Sequence, residues 1–271
     1  MPKTNEHQPT KSLGVIGCGW LGMAVAKDFI KKGWRVKGTV RKEENKSVLE
    51  AHNIQAFKYI LGKQDADFSS FLNNLDLLLI AVPPGLRKGS AHEYLKNLEL
   101  LKRQLKEDLP AGCRVLFISS TGVYPSQGGP YSEHSSWEAH SEKADALLAA
   151  EKIISQLAQE SCVIRFSGLI GPGRDPLRSL IQRDHIAGGH LAANLIDQKD
   201  GLRLLWLLSQ IEQLPRLLNA VYPQKIKKAD FYSQKALALG MSPPNFTQGN
   251  LALARHIVSE IELPFKYKHP V

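Results

Sequence analysis

The order of apolar and polar positions in the first part of the chain predicts strands alternating with helices. An apolar run from Leu13 to Ile16 meets glycines, and apolar residues then recur at helical spacing up to Gly33. Trp34 to Val40 predicts a second strand, and Leu77 to Val82 is a continuous aliphatic run, typical of a strand buried on both faces. The pattern therefore predicts strand, tight turn, helix and strand in succession.

The alternation continues through the middle of the chain. A helix is predicted from about Glu93 to Leu105, a buried strand from Arg114 to Ser119, a helix from about Glu142 to Ala158 and a strand from Val163 to Phe166. Alternation of this kind indicates an α/β fold in which a doubly wound parallel sheet of Rossmann type is covered by helices on both faces.

The pattern weakens in the last hundred residues, where helical stretches at 201–209 and 230–239 surround a short apolar segment. We therefore predict a Rossmann domain over residues 12–167 and a smaller α/β lobe over residues 168–271, with a strand near 217–222 that returns to the main sheet. An all-helical second half would instead favour a dehydrogenase of the β-hydroxyacid class.

Composition and charge narrow the class of protein. The chain has 271 residues, of which 43% are hydrophobic and 23% charged, as in ordinary globular proteins. Its formal charge is +9, but the basic residues are scattered in pairs such as Lys31-Lys32. A basic stripe interleaved with aromatic residues would predict nucleic-acid binding, and this sequence has none. We therefore interpret the excess positive charge as a solvated surface that helps to capture an anionic ligand.

Cysteine spacing and hydropathy predict neither a metal site nor a membrane segment. Cys18, Cys113 and Cys162 are far apart and lack the spacing of a zinc site. No apolar run approaches the ~20 residues of a membrane span, and the first eleven residues are polar. We expect reduced, buried thiols and a cytoplasmic location.

A glycine-rich turn supplies the clearest candidate chemistry. Gly17, Gly19 and Gly22, with Trp20 and Leu21 between them, form a GxGxxG segment between the first predicted strand and helix. Glycine meets three needs there: a tight turn, close approach of the backbone to a pyrophosphate, and close packing of helix on strand. The segment predicts dinucleotide binding, and the alternative is that it serves only a tight connection.

The end of the second predicted strand indicates which dinucleotide is preferred. A site that prefers NAD usually has an Asp or Glu there to bind the ribose hydroxyls. This chain has Arg41 and Lys42, whose charges suit the 2′-phosphate of NADP(H). We predict NADP(H) over NAD(H), unless Glu43 or Glu44 reaches the ribose.

Two further segments carry a family resemblance. Residues 119–124 read SSTGVY and residues 163–173 read VIRFSGLIGPG. In this order they resemble the SSxxVY and RxxNVYGPG segments of the extended short-chain dehydrogenases/reductases, the group of nucleotide-sugar epimerases and dehydratases, in its atypical branch with GxGxxG. The resemblance implies further cofactor contacts by Ala81, Val82, Pro83, Ser119, Phe166 and Ser167, and it places Gly168 at the substrate.

The chain departs from this family at the catalytic pair. Family members carry a YxxxK pair in which Lys lowers the pKa of the Tyr phenol. Here the matching positions hold Lys143 and Leu147. The substitute candidates are Ser120 or Thr121, which can hydrogen-bond a substrate carbonyl, and Tyr124 as proton donor assisted by Lys143.

Other side chains that follow the SSTGVY and VIRFSGLIGPG segments are further candidates for proton transfer or substrate binding. Tyr131, His134 and His140 are further candidates for proton transfer, and Arg174 is a candidate contact for a substrate phosphate or a solvated loop residue.

The sequence thus leaves three functions open. The first is an NADP(H)-dependent oxidoreductase or epimerase acting on a small molecule, such as a sugar nucleotide or another anionic carbonyl compound. The second is an NADP(H)-binding sensor or interaction protein without turnover. The third is an enzyme like the β-hydroxyacid dehydrogenases.

Overall fold

Strands and helices alternate in the computed structural model, which describes residues 10–63, 67–83, 91–137, 141–157, 160–247 and 252–271. The strands are β1 (Ser12–Ile16), β2 (Arg35–Val40), β3 (Gln55–Lys58), β4 (Leu77–Ile80), β5 (Arg114–Ser120), β6 (Ser161–Phe166), β7 (Gly168–Ile170), β8 (Leu195–Asp197) and β9 (Leu217–Ala220). The helices are α1 (Trp20–Lys31), α2 (Lys46–Glu50), α3 (Phe68–Leu72), α4 (Ala91–Asp108), α5 (Glu142–Ser155), α6 (Leu177–Ile181), α7 (Gln198–Gln210) and α8 (Lys228–Ala238).

The main sheet has seven strands in the order β3-β2-β1-β4-β5-β6-β9. The pairings of β1 with β2, β1 with β4, β2 with β3 and β4 with β5 are all parallel. The chain adds strands outward from β1 and then outward from β4 on the other side, which is the doubly wound arrangement. The predicted fold class is confirmed.

The central strands are buried because their side chains are apolar on both faces. Every residue of β1 and of β4 is buried. The two strands are in register with Leu13 opposite Leu77 and Val15 opposite Leu79. Continuous aliphatic strands are stable only where helices cover both faces of the sheet.

The sequence analysis did not predict three of the shortest strands. The strand β3 has four residues, and β7 and β8, which pair in parallel as a separate small sheet, have three each. Segments of this length contain too few positions to establish an alternating pattern.

The chain forms two compact units that interleave along the sequence. The first comprises Met1–Ile118, Leu148–Val163 and Leu205–Arg216, and the second comprises Ser119–Leu147, Ile164–Leu204 and Leu217–Val271. The division does not follow a single boundary after residue 167, because residues 119–147 belong to the second unit. None of the described helices is both long and apolar enough to cross a membrane.

Asp200, in the first turn of α7, holds the C-terminal segment of the second unit. Its carboxylate is fully buried and accepts hydrogen bonds from the backbone amides of Lys268 at 3.0 Å and His269 at 2.8 Å. His269 Nδ1 lies 3.0 Å from the carboxylate, and Arg203 Nη1 lies 2.5 Å from it. Burial alone would raise the pKa of Asp200, but the bonds from His269, Arg203 and Lys268 outweigh it and hold that pKa below its ordinary value.

We expect Asp200→Asn to lower the free energy of unfolding by about 2–4 kcal/mol at pH 7, because an amide cannot accept all of these bonds. The folded-state pKa lies below that of the unfolded chain, so the contribution is present above the unfolded pKa and is lost as the pH falls through the folded pKa. Denaturant unfolding should therefore show the difference between wild type and variant shrinking below about pH 4.

The matched control is Asp184→Asn, because Asp184 is an exposed carboxylate of the same unit. Its effect on unfolding should stay within about 0.5 kcal/mol. Equal effects of the two substitutions, or an Asp200→Asn difference that persists at low pH, would contradict the role of Asp200.

Candidate functional site

The three glycines of the Gly17–Gly22 turn occupy positions with different spatial requirements. Gly17 has a φ of +98°, which L side chains rarely adopt. A Cβ at Gly22 would lie 2.2 Å from the carbonyl oxygen of Gly17, whereas a Cβ at the exposed Gly19 would have no described heavy atom within 4 Å. The turn thus combines a tight bend, an open approach and close helix packing, as a pyrophosphate-binding turn does.

Hydrogen bonds to β2 fix the backbone of this turn. Gly17 N donates to Thr39 Oγ1 at 3.1 Å, and Cys18 N donates to Thr39 O at 3.4 Å. Gly19 is the N-cap of α1 without a capping side chain, and the first turn of α1 contains no acidic residue. The positive end of the helix dipole therefore lies at the open part of the turn, and the helix's own first turn places no carboxylate beside it.

The residues between the glycines differ in their surroundings. Trp20 begins α1 and is partly exposed, whereas Leu21 is buried. A Cβ added at Gly38 would lie 2.6 Å from Cys18 Sγ, so the thiol packs against β2. Burial raises the pKa of the Cys18 thiol to about 12, which keeps it protonated and unreactive.

The predicted cationic pair lies just after β2. Val15 of β1 is opposite Gly38 of β2, and continuing this register places Arg41 opposite Cys18 of the glycine turn. The side chain of Arg41 is exposed. Arg41 therefore lies at the end of the sheet where the turn is open.

Glu43 and Glu44, the acidic residues that could bind the ribose hydroxyls, each form an ion pair with a lysine. Lys42 Nζ lies 3.4 Å from Glu44 Oε1, and Lys46 Nζ lies 2.7 Å from Glu43 Oε1. The glutamate side chain of each pair is largely exposed to solvent, so each ion pair contributes little to the stability of the fold.

The segment after β4 lies against the same turn. Ala81 N donates to Ile16 O at 2.8 Å, and a Cβ at Gly17 would lie 2.9 Å from Ala81 O. Val82 O accepts a hydrogen bond from Tyr94 OH at 3.1 Å. Pro83 follows and is exposed.

The SSTGVY segment lies in the second unit, where β5 passes into a short 3-10 turn. Ser120 Oγ accepts a hydrogen bond from Gly122 N at 3.0 Å, so its own hydrogen remains available to another acceptor. Ser119 and Thr121 are buried, and Thr121 O accepts a hydrogen bond from Arg255 Nη2 at 3.1 Å. Of these three side chains only that of Ser120 is partly exposed.

Tyr124 occupies a buried polar network. Its side chain has no exposed surface, and its hydroxyl lies 2.9 Å from both Ser132 O and Asn219 Oδ1. Arg165 Nη1 donates to the same hydroxyl at 2.9 Å. Burial raises the pKa of Tyr124, although the neighbouring Arg165 acts in the opposite direction. Tyr124 is therefore a member of a buried hydrogen-bonded network, and its role as the proton donor stays a prediction.

The predicted assistance of Tyr124 by Lys143 stays a prediction, because no contact between the two side chains is seen among the described residues. Lys143 lies in the first turn of α5 with its side chain exposed, and the cation beside Tyr124 is Arg165. An arginine inside an otherwise apolar strand was the available signal for this buried partner.

The residues expected near the nicotinamide and the substrate differ in how they are packed and hydrogen-bonded. Phe166 is buried, and a Cβ at Gly201 would lie 3.2 Å from its ring, so Phe166 packs on α7. Ser167 Oγ is buried and has no hydrogen-bond partner within the described part of the chain. A Cβ at Gly168 would lie 2.7 Å from the Leu195 side chain, which explains the glycine by the pairing of β7 with β8.

The remaining candidates lie in loops. Tyr131 OH donates to Gln127 O at 2.5 Å, and the side chains of His134 and Arg174 are exposed. His140 lies outside the described residues.

One cavity of about 300 Å³ lies within the second unit. Apolar side chains such as Val258, Ile261 and Phe265 line it, together with Asn219. None of the predicted site residues is part of its lining.

Comparison with known proteins identifies the fold but not a reaction. No protein-family model matches the chain. The chain is 28% identical over 273 residues to protein YeeZ of Escherichia coli strain K12, with 96% of this chain and 98% of YeeZ aligned. The name of YeeZ states no activity.

Several solved structures share the fold over nearly the whole chain. A functionally unknown conserved protein from Silicibacter pomeroyi has a TM-score of 0.74 at 18% identity, with 97% of this chain and 95% of that chain covered. MoeE5, solved with UDP-glucose and NAD, has a TM-score of 0.75 at 19% identity, with 96% and 94% covered. UDP-glucuronic acid 4-epimerase from Bacillus cereus, solved with NAD, has a TM-score of 0.72 at 18% identity, with 92% and 90% covered. The fold that the sequence motifs implied is therefore confirmed.

We expect Tyr124→Phe to lower the free energy of unfolding by about 1–3 kcal/mol, because Arg165 and Asn219 each lose a buried hydrogen bond to the hydroxyl. Denaturant unfolding measures the change. Tyr131→Phe is the control, since Tyr131 is partly exposed and its loss should cost less than about 1 kcal/mol. A Tyr124→Phe protein as stable as the wild type would show that the network contributes nothing.

Proposed function

We propose that the chain is an NADP(H)-dependent oxidoreductase or epimerase-like enzyme of the extended short-chain dehydrogenase/reductase type. The observation that carries this proposal is the glycine turn, where Gly17 and Gly22 are fixed by conformation and packing while Gly19 stays open. A Cβ at Gly19 would fill the space through which a pyrophosphate approaches the backbone. MoeE5 and the Bacillus cereus epimerase, which share the fold, were both solved with NAD.

The preference for NADP(H) over NAD(H) rests on the residues after β2. Arg41 is exposed at the open end of the turn, and Glu43 and Glu44 are paired with lysines. A guanidinium binds a 2′-phosphate through charge-assisted hydrogen bonds, whereas it cannot replace the carboxylate that accepts bonds from ribose hydroxyls. Lys42 follows Arg41 directly, and it would have to leave its ion pair with Glu44 to contact the same phosphate.

The proposed substrate is a small anionic carbonyl compound, with sugar nucleotides as the leading class. MoeE5 was solved with UDP-glucose and with UDP-glucuronic acid. The net charge of +9 favours an anionic ligand. We place the activity in the cytoplasm and without nucleic acid as a partner.

The chemistry would be hydride transfer, for which a bound nicotinamide supplies the hydride donor or acceptor. Ser120 is the residue of the SSTGVY segment that we assign to hydrogen-bond the substrate oxygen, because its hydroxyl is partly exposed and keeps a free hydrogen. Thr121 is buried, and its backbone carbonyl is occupied by Arg255. Ser167 is a second polar group whose hydroxyl a ligand would satisfy.

A binding protein without turnover is the second candidate. It is favoured by one observation, the use of Tyr124 in a buried network while Lys143 is exposed, so that neither takes the role of the family's Tyr-Lys pair. The β-hydroxyacid dehydrogenase alternative is disfavoured because β7, β8 and β9 follow residue 167, whereas that class continues with a mostly helical domain.

Cofactor preference has a direct test. We expect NADPH to bind more tightly than NADH, and Arg41→Ala to weaken NADPH binding by about 1–3 kcal/mol while leaving NADH binding unchanged, since only NADPH carries the 2′-phosphate. Isothermal titration calorimetry measures both. Arg103→Ala, which removes an exposed arginine of α4, is the control and should change neither affinity.

Two outcomes would decide against this assignment. Equal affinities for NADPH and NADH in the wild type, untouched by Arg41→Ala, would remove the preference. Failure of both cofactors to bind would remove the proposed function itself.

Turnover requires a substrate screen. We expect the wild type to oxidise NADPH with a carbonyl compound, or to epimerise a sugar nucleotide as followed by NMR, since epimerisation consumes no cofactor overall. Ser120→Ala should then lower kcat by about 100-fold, because the substrate oxygen loses a hydrogen-bond donor. Ser126→Ala, at an exposed serine nearby, should leave kcat unchanged. Tight NADPH binding without turnover across the screen would favour the binding protein instead.

A further inference from the structure

Two basic side chains of the second unit are partly buried without an acidic partner. Arg255 and Lys228 each expose only a minor fraction of their surface. Neither forms an ion pair with a carboxylate in the part of the chain that the structure describes. Charged side chains are rarely removed from water unless they are paired, so this arrangement needs an explanation.

The backbone places the two residues on either side of one segment. Leu191 O accepts a hydrogen bond from Lys228 N at 2.8 Å, and Leu191 forms a parallel bridge with Ala254. Ala192 N donates to Ala254 O at 2.8 Å. Lys228 and Arg255 are therefore carried by two chain segments that both pair with residues 191–192.

The position of Arg255 is fixed and its backbone is strained. Its φ is +53°, a left-handed conformation uncommon for a residue other than glycine. Arg255 N donates to Gly128 O at 2.7 Å, and Asn194 Nδ2 donates to Arg255 O at 2.6 Å. Backbone strain held by surrounding bonds occurs preferentially at ligand sites.

The guanidinium of Arg255 points to the SSTGVY segment. Its Nη2 donates to Thr121 O at 3.1 Å. An arginine has five N–H donors in a rigid fork, so donors remain for a second acceptor in the same plane. The candidate substrate-binding residue Ser120 precedes Thr121 directly.

Burial disfavours the charged form of both side chains, and Arg255 adds to the electrostatic cost of a charged Lys228. Burial, followed by repulsion from Arg255, lowers the pKa of Lys228, and burial lowers the pKa of Arg255. An anion between two such charges would lower the free energy of both at once, and a doubly charged anion would match their sum.

We propose that Arg255 and Lys228 form an oxyanion-binding site, which holds a phosphate or carboxylate group of a ligand beside the Ser120–Thr121 segment. The identification of that ligand as the substrate rests on the proposed function, whereas the binding of the anion does not. None of the residues singled out in the glycine turn or after β2 contributes to it.

The test uses the full-length protein and three anions at matched ionic strength: pyrophosphate, inorganic phosphate and malonate. We expect at least one of them to raise the thermal unfolding midpoint of the wild type and to give a saturable calorimetric titration. Pyrophosphate or phosphate acting alone assigns the site to phosphate groups, and malonate acting as strongly assigns it to carboxylates. Lack of any saturable binding by the wild type would overturn the proposal.

The variants Lys228→Met and Arg255→Gln identify the site that binds. Each should weaken anion binding by about tenfold or more, because a charge-assisted contact is lost. Lys199→Met, at an exposed lysine of the same unit, should bind as the wild type does. Anion binding that is unchanged in Lys228→Met and Arg255→Gln would contradict the assignment.

Stability without anion separates a binding role from a structural one. Lys228→Met keeps the aliphatic stem and removes an unpaired charge, so its unfolding midpoint should equal or exceed that of the wild type. A lower midpoint together with an unchanged anion response would assign Lys228 to the fold and overturn the proposal.

Saturating NADPH distinguishes this site from the glycine turn, which also suits phosphates. Anion binding should persist in the presence of NADPH and should still depend on Lys228. Abolition by NADPH together with persistence in Lys228→Met would move the anion to the glycine turn. If the wild type fails to bind NADPH, the proposed function fails, and the comparison of Lys228→Met with wild type still decides the oxyanion site.

Discussion

The contact between Gly22 and the carbonyl oxygen of Gly17 is the constraint on which the candidate nucleotide site depends. Because no side chain fits between them, α1 begins directly on the turn that ends β1. The same turn is held from two sides, by Thr39 of β2 and by Ala81 after β4. A tight helix-to-turn contact thus fixes where the amides of α1 lie relative to three parallel strands, and the opening at Gly19 is what remains unfilled.

The second unit shows how a familiar motif can serve a different purpose. In a YxxxK enzyme a lysine beside a phenol adjusts the proton affinity of a group that reacts. Here a cation also lies beside a phenol, but Arg165 and Tyr124 are both buried and are joined to Asn219. In a low-dielectric interior such a network is stable only when every member has a partner, so it specifies one packing arrangement and leaves no group free to react.

The sequence predicted those features that depend on neighbouring residues and missed those that depend on distant ones. The fold class followed from long apolar runs such as Leu77 to Val82, and the glycine turn followed from its place between a strand and a helix. The partner of Tyr124 lies 41 positions away in Arg165. An arginine within an apolar strand indicates that its charge needs a buried partner, but it does not indicate which residue supplies that partner. Arg255 and Lys228 look like ordinary surface charges in the sequence, since only the tertiary structure shows how far each is buried and what lies beside it.

The interleaving of the two units has a consequence for how the protein is made. The edge strand β9 lies beside β6 in the main sheet, although β7, α6, β8 and α7 lie between them in the chain. During synthesis the ribosome therefore releases β6 well before its outer neighbour exists, and the backbone groups along one edge of that strand stay unpaired until the C-terminal part of the chain is made. Pairing of strands so distant in sequence slows folding and prolongs exposure of an open sheet edge. A premature stop after β8 would leave both units incomplete, because the first unit would lack residues 205–216 and the second would lack residues 217–271.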